Sequence, residues 1–166
     1  MNKTSVESLK STGLNTGLLL ARGMVGTVFV FHGAQKLFAW WGGYGIEGTA
    51  GFFAQLGIPF PTLNVYLAGG TEFFGGLLLI AGLASRFSSL GLFFTMLVAV
   101  VTAHWGKFDA AAGGMEYALT LAVVSLGLAL TGPGRFALDT LAAPALAQAI
   151  ANKPASSSSQ RVATAR

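Results

Sequence analysis

From Leu14 to Phe38 the sequence is an apolar stretch carrying only two full charges, Arg22 and Lys36. A helix needs about 20 apolar residues to cross ~30 Å of hydrocarbon. Three further stretches pass the same test, at about Val65–Leu83, Leu90–Ala103 and Met115–Leu130; Leu90–Ala103 is short, and Phe87 and Trp105 extend it. The whole chain is 53% apolar and 10% charged, against roughly a quarter charged in a soluble protein. Such a composition cannot cover a water-facing surface, so lipid is the expected solvent and the bilayer the expected partner. The fold class this predicts is all-α, an integral membrane four-helix bundle.

Lysine and arginine set the orientation, because they collect on the cytoplasmic side of membrane proteins. With four spans, Lys3, Lys10, Arg22, Arg86, Arg135, Lys153, Arg161 and Arg166 fall on one side, and Lys36 and Lys107 on the other. Both termini are therefore expected in the cytoplasm. The first span follows a basic segment, but it is too long for a secretory signal and no A-x-A site closes it. The predicted division is a cytoplasmic segment over 1–13, a four-span membrane domain over 14–139, and an amphipathic segment with a disordered tail over 140–166. In the first outer loop Trp40, Trp41 and Tyr44 read as an interfacial belt. EGTAGFFAQLG then reads as a short extra helix with Phe52, Phe53 and Leu56 on one face, ended by glycine. IPFP breaks the chain before the second span, and SRFSS reads as a tight polar turn after it.

The chain has no cysteine, which excludes structural disulfides, thiolate zinc sites, iron–sulfur ligation and covalently attached haem. No nucleotide or flavin fingerprint is present, and no metal site is expected. The net charge of +4 does not point to nucleic acid, because the basic residues are spread by topology and form no single face.

Helices associate in lipid through small residues. Gly91, Thr95, Ala99 and Ala103 form such a stripe on the third span, and Ala118, Ala122, Ser125 and Ala129 on the fourth. Gly69, Glu72 and Gly76 share one face of the second, which turns Glu72 into the bundle and away from acyl chains, where a carboxylate is costly. His32 lies ~9 Å, and Glu72 ~10 Å, below the outer ends of their spans at 1.5 Å per residue. Lys36 is one turn above His32 on the same face. His104, Trp105 and Lys107 cap the third span, and Glu116 and Tyr117 open the fourth at the same level.

The ionisable groups thus gather near the outer surface. Arg22, near the other side, is expected to snorkel. Below Glu72 and above Arg86 the spans are almost wholly apolar, which argues against a through-channel. FHGAQKLF and AHWGKF echo one another at the ends of spans one and three. With a glutamate in each following span, this raises the prospect of a duplicated helix pair. A bland alternative accompanies each residue: a register-fixing Glu72 pair, an interfacial His104, an N-terminal Glu116 favoured by the helix dipole, and belt residues at Trp40, Trp41, Trp105 and Tyr117.

The segments ARGMVGTVFVFHGAQKLF, LGIPFP, GGTEFFGGLLLIAGLASRFSSLGL and MEYALTLAVVSLGLALTGPGRFALD resemble the DoxX family of small bacterial membrane proteins, over roughly Leu18–Asp139. The matching motif residues are Arg22, His32, Gly33, Lys36 and Glu72. The resemblance implies a multi-pass protein of the bacterial cytoplasmic membrane and a quinone-linked oxidoreductase component. A quinone headgroup needs donors to its two oxygens and a proton route. His32 and Lys36 are the expected donors and Glu72 the proton carrier, the three making the candidate catalytic set. Gln35, Trp41, Phe52, His104, Trp105, Glu116 and Tyr117 are the expected binding residues around the ring. A haem held by His32 and His104 is disfavoured by their different depths. Electrons would come from a substrate or from a soluble or membrane redox partner, and a glycine-rich bundle of this size is a candidate homodimer. The competing reading is a non-enzymatic scaffold or small-molecule carrier that docks a redox partner.

Overall fold

The computed structural model describes residues 3–142 and residue 144, and these residues are all-helical, with no strand among them. Five α-helices follow one another: α1 (Lys3–Phe38), α2 (Gly45–Gln55), α3 (Pro61–Ala81), α4 (Ser85–Ala103) and α5 (Glu116–Thr131). Three of them, Glu7–Phe38 within α1, α3 and α4, are long and apolar enough to cross a membrane. At 16 residues and about 1.5 Å per residue, α5 is apolar but shorter. Of the amphipathic segment and disordered tail expected over 140–166, only 140–142 and residue 144 are described, and these are helical; the rest lies outside the described residues.

Several boundaries differ from the expected ones, each for a local reason. The first helix begins at Lys3 and not near Leu14, because a polar but unbroken KTSVESLKST run continues the same helix outside the apolar stretch. Before α3 the IPFP break is made by Phe60, at φ 48°, and Pro61 then opens the helix, where its missing N–H costs nothing. SRFSS is not the turn after α3. The chain reverses over Gly82–Ala84, with Gly82 at φ 72° and Ala84 at φ 46°, and Ser85, Ser88 and Ser89 are buried in the first turns of α4. Glycine at 82 serves twice, supplying the left-handed conformation and leaving room for the Arg22 guanidinium, into which a Cβ would run.

In sequence order, α1 packs on α3, α3 on α4 and α4 on α5, while α2 lies across α1 and α3. The α1–α3 seam is the closest approach. A Cβ on Gly76 would stand 2.7 Å from the Gly26 carbonyl, and one on Gly33 would stand 2.8 Å from the Gly69 carbonyl. Gly26 and Gly33, and likewise Gly69 and Gly76, lie seven residues apart on antiparallel helices, so the two crossings share one register. Around this seam Val25, Phe29, Leu79, Leu92, Leu121 and Leu128 form the buried core. The face of α5 expected to pack inward does so at Ala118, Ala122 and Ser125.

The small-residue stripe of α4 behaves differently. Its buried face is Leu92, Met96 and Val100, whereas Thr95, Ala99 and Ala103 stand beside it, partly exposed, and line a cavity.

Because both glycine crossings bring backbone against backbone, neither neighbour can yield by a rotamer change. Gly76→Val is expected to destabilise the protein by about 1–3 kcal/mol or more, the cost of overpacking a close contact. Gly70→Ala on the same helix, where a Cβ meets nothing within 4 Å, should be near neutral. Unfolding midpoints in mild detergent check both.

Candidate functional site

The i, i+4 spacing of His32 and Lys36 puts both on one face of α1, and the Gly33–Gly69 crossing holds that face against α3. The consequence is an ion pair. Lys36 Nζ donates to Glu72 Oε2 at 2.6 Å, and Glu72 is 1% exposed. Glu72 therefore points inward, on the same face as Gly69 and Gly76. The bond to Lys36 uses Oε2 alone. On the neighbouring side the His32 ring meets Tyr117 edge-on, with Nε2 and the phenol oxygen 3.5 Å apart.

These groups stand in the wall of a cavity of about 460 Å³. Phe52 and Phe53 of α2, with Leu56 just past its end, cover it, Phe29, Met96 and Leu121 are at its apolar end, and His104 and Tyr117 complete the side away from α3. A second recess lies beyond α1. It shares His32, Lys36, Phe52 and Phe53 with the cavity and is otherwise lined by Gln35, Tyr44, Thr49, Gln55 and several glycines.

Of the ten residues singled out in the sequence, His32, Lys36, Glu72, Phe52, His104 and Tyr117 meet at the cavity. Gln35 opens on the adjoining recess. Three are elsewhere. Trp41 is 61% exposed and stacks on Phe31 at 5.1 Å, because α1 ends at Phe38 and a left-handed Ala39 carries the chain outward. Trp105 is 72% exposed, just past the end of α4. Glu116 is exposed, and its Oε2 accepts from the Ala110 amide at 3.2 Å, bracing the loop before α5. Glu116 is thus outside the cavity and Glu72 inside it, so the glutamates of the two helix pairs are placed differently.

Asn64, Thr71 and Thr102, which sequence reasoning passed over, line the cavity, as does Thr95, which it read only as packing. Their signal was weak, since a threonine on a membrane helix ordinarily bonds the carbonyl one turn back, as Thr95 does to Gly91 and Thr102 does to Val98.

A second polar cluster occupies the opposite end, around the α3–α4 turn. Arg22 does not snorkel there. It is 2% exposed and donates from Nη1 to the Pro133 carbonyl at 3.1 Å and from Nη2 to the Phe136 carbonyl. Asp139 ties the same segment to the turn, its amide donating to the Gly82 carbonyl and its Oδ2 accepting from the Ser85 amide. Asn15 Oδ1 accepts from the Arg135 amide at 2.8 Å. The helices are also less uniformly apolar than expected at this end. Ser85, Ser89 and Ser125 are buried, and their hydroxyls have no protein partner among the described residues. Between the two clusters lies the apolar layer of Phe29, Leu79, Leu92 and Leu121.

The fold and its buried charges define an all-helical membrane protein whose ionisable groups sit among apolar helices. The DoxX family model matches residues 17–105, and the chain belongs to the DoxX family. It is 35% identical over 124 residues, 74% of the chain and 84% of the relative, to a Bacillus subtilis protein named "Putative oxidoreductase CatD". It is 31% identical over 128 residues, 74% of the chain and 87% of the relative, to the Escherichia coli "Inner membrane protein YphA". A third relative, "Uncharacterized membrane protein Rv3486" of Mycobacterium tuberculosis, is 31% identical over 137 residues, 74% of the chain and 78% of the relative. No solved structure matches the chain significantly. The family match takes in Arg22, His32, Lys36 and Glu72 and ends before α5, so Tyr117 and the GPG segment lie beyond it.

The ion pair makes a prediction about stability. Lys36→Met leaves the Glu72 carboxylate buried without its cation, and breaking one side of a buried pair costs about 3–5 kcal/mol. Glu72→Gln should cost less, since the longer Lys36 side chain is one-quarter exposed and can turn to water. The double variant Lys36→Met/Glu72→Gln should recover most of the loss. Denaturant unfolding of all four proteins in one detergent tests this, and simple additivity of the single effects would contradict it.

Proposed function

We propose that the chain is a four-span protein of the bacterial cytoplasmic membrane with both termini in the cytoplasm. In this reading the α2 end of the bundle faces outward, and the cavity beneath α2 is a quinone site of an oxidoreductase component. The observation that carries the reading is the Lys36–Glu72 pair, set with His32 in the wall of a mostly apolar cavity inside a membrane protein. Intramembrane charges of this kind are retained for function by default. The α3–α4 turn, Arg86 and Arg135 then lie on the cytoplasmic side, in agreement with the asymmetry of Lys and Arg.

The residues present fit a quinone headgroup. A volume of about 460 Å³ is within the ~300–1,000 Å³ of small-molecule sites, which are mostly apolar with a few placed polar groups. A bound quinone supplies two-electron redox chemistry coupled to two protons. Lys36 carries three donors and spends one on Glu72, so the others remain to meet a carbonyl oxygen. His32, donating from one ring nitrogen and accepting at the other, can hold or pass a proton beside it. Glu72 holds the Lys36 side chain in place through Oε2, and its other carboxylate oxygen is a second proton position. Gln35, Tyr44 and Gln55 of the adjoining recess lead from His32 and Lys36 toward the outer surface. The apolar end at Phe29, Met96 and Leu121 keeps water from the inner half. Electrons reach or leave the site through a partner subunit or the reduced substrate itself.

The relative from Bacillus subtilis carries an oxidoreductase name, which agrees with this reading. The test is direct binding. Purified in mild detergent, the protein should bind a quinone analogue, and His32→Leu and Glu72→Gln should each weaken binding about tenfold or more. That is the loss of one hydrogen bond to a charged group, ~1.5–3 kcal/mol. Circular dichroism shows whether each variant is folded. Equal affinity in folded Glu72→Gln would end the site assignment. Saturable binding with no turnover under any redox partner would favour a carrier or scaffold.

A further inference from the structure

We infer that the cavity receives its ligand sideways from the bilayer, through an opening between α3 and α4, and that the ligand is therefore an amphiphile with a hydrocarbon tail. The inference rests on the quinone reading above and deepens it: the polar head lies at His32, Lys36 and Glu72, and the tail lies in the α3–α4 opening.

The opening follows from how the two helices separate. Near their turn they touch, with Gly75 against Leu92 and Gly91 against Thr71. Above that level the cavity lies between them, lined on one side by Leu67, Ala68 and Thr71 and on the other by Thr95, Val98 and Ala99. Small side chains at Ala68 and Ala99 leave the gap, and the threonines turn their hydroxyls to their own backbone where recorded, as at Thr95. The rim residues Leu67, Phe94 and Val98 are each more than half exposed, on helices long and apolar enough to span a membrane. They therefore face acyl chains. A gap with apolar lips in this position is continuous with lipid, and its inner end meets the buried ion pair. The polarity gradient, hydrocarbon outside and paired charges within, is complementary to a molecule with a polar head and an apolar tail.

This also explains the α4 stripe. Gly91 meets Thr71 of α3, but Thr95, Ala99 and Ala103 spend their small size on the cavity wall. A water-soluble substrate would have no use for such a gap.

The experiment uses the full chain in lipid nanodiscs and a benzoquinone bearing a diazirine in its alkyl tail, with the same headgroup lacking a tail as competitor. On illumination, cross-links are expected on Leu67, Phe94 or Val98, and the tailless competitor should suppress them. Ala99→Phe, which fills the gap, should reduce this labelling at least tenfold, and by more than it weakens binding of the tailless headgroup. Cross-links on Tyr44 or Gln55 would overturn lateral entry and leave the quinone reading standing. So would a folded Ala99→Phe protein labelled like wild type. Labelling of the rim that the competitor cannot suppress would show bulk lipid contact only, and would also overturn it. If the tailless headgroup fails to bind wild type at all, both the site and the route are wrong.

Discussion

Two backbone crossings, Gly26 on Gly76 and Gly33 on Gly69, are the constraint from which the rest of the structure is built. In hydrocarbon, apolar side chains gain nothing by leaving lipid for one another, so association depends on packing and on close backbone approach. Without side chains at these four positions, α1 and α3 come near enough for Lys36 to reach Glu72 at 2.6 Å. The seam and the ion pair support one another. The glycines fix the register in which the charges meet, and a carboxylate buried to 1% exposure would be strongly unfavourable in any other register.

The remaining helices partition the molecule into three layers. At the α2 end, charged and aromatic groups surround the cavity. In the middle Phe29, Leu79, Leu92 and Leu121 close the core. At the α3–α4 turn, Arg22, Asn15 and Asp139 bind the segment that follows α5 back onto the bundle. A buried arginine whose two terminal nitrogens donate to carbonyls and a buried glutamate paired with a lysine are different solutions to the same desolvation problem. The first is enclosed by backbone and the second adjoins open volume, which is why chemistry is assigned to the second.

Periodicity made part of this legible. The spacing of Gly69, Glu72 and Gly76 was enough to turn Glu72 inward, and the four-residue step from His32 to Lys36 was enough to put both on one face. Those are properties of a single helix. What could not be read was what each face would meet. The α4 stripe was correctly a face, but its neighbour is a cavity. Arg22 was misjudged because its acceptors come from residues more than a hundred positions later. SRFSS was read as a turn because its serines are polar, although the left-handed positions that reverse the chain, Gly82 and Ala84, come just before it. Trp41 and Trp105 were placed near the ring by level alone, and the left-handed Ala39 and the end of α4 send them outward.

The engagement of Arg22 has a consequence for biogenesis. Its two carbonyl partners are 111 and 114 residues downstream, so throughout synthesis the first helix carries a guanidinium whose proper acceptors do not yet exist. Until the segment after α5 emerges, that cation must stay hydrated at the membrane border. Its burial is then among the final events of assembly. A chain cut short before Pro133 would leave that cation at the base of α1 without either carbonyl.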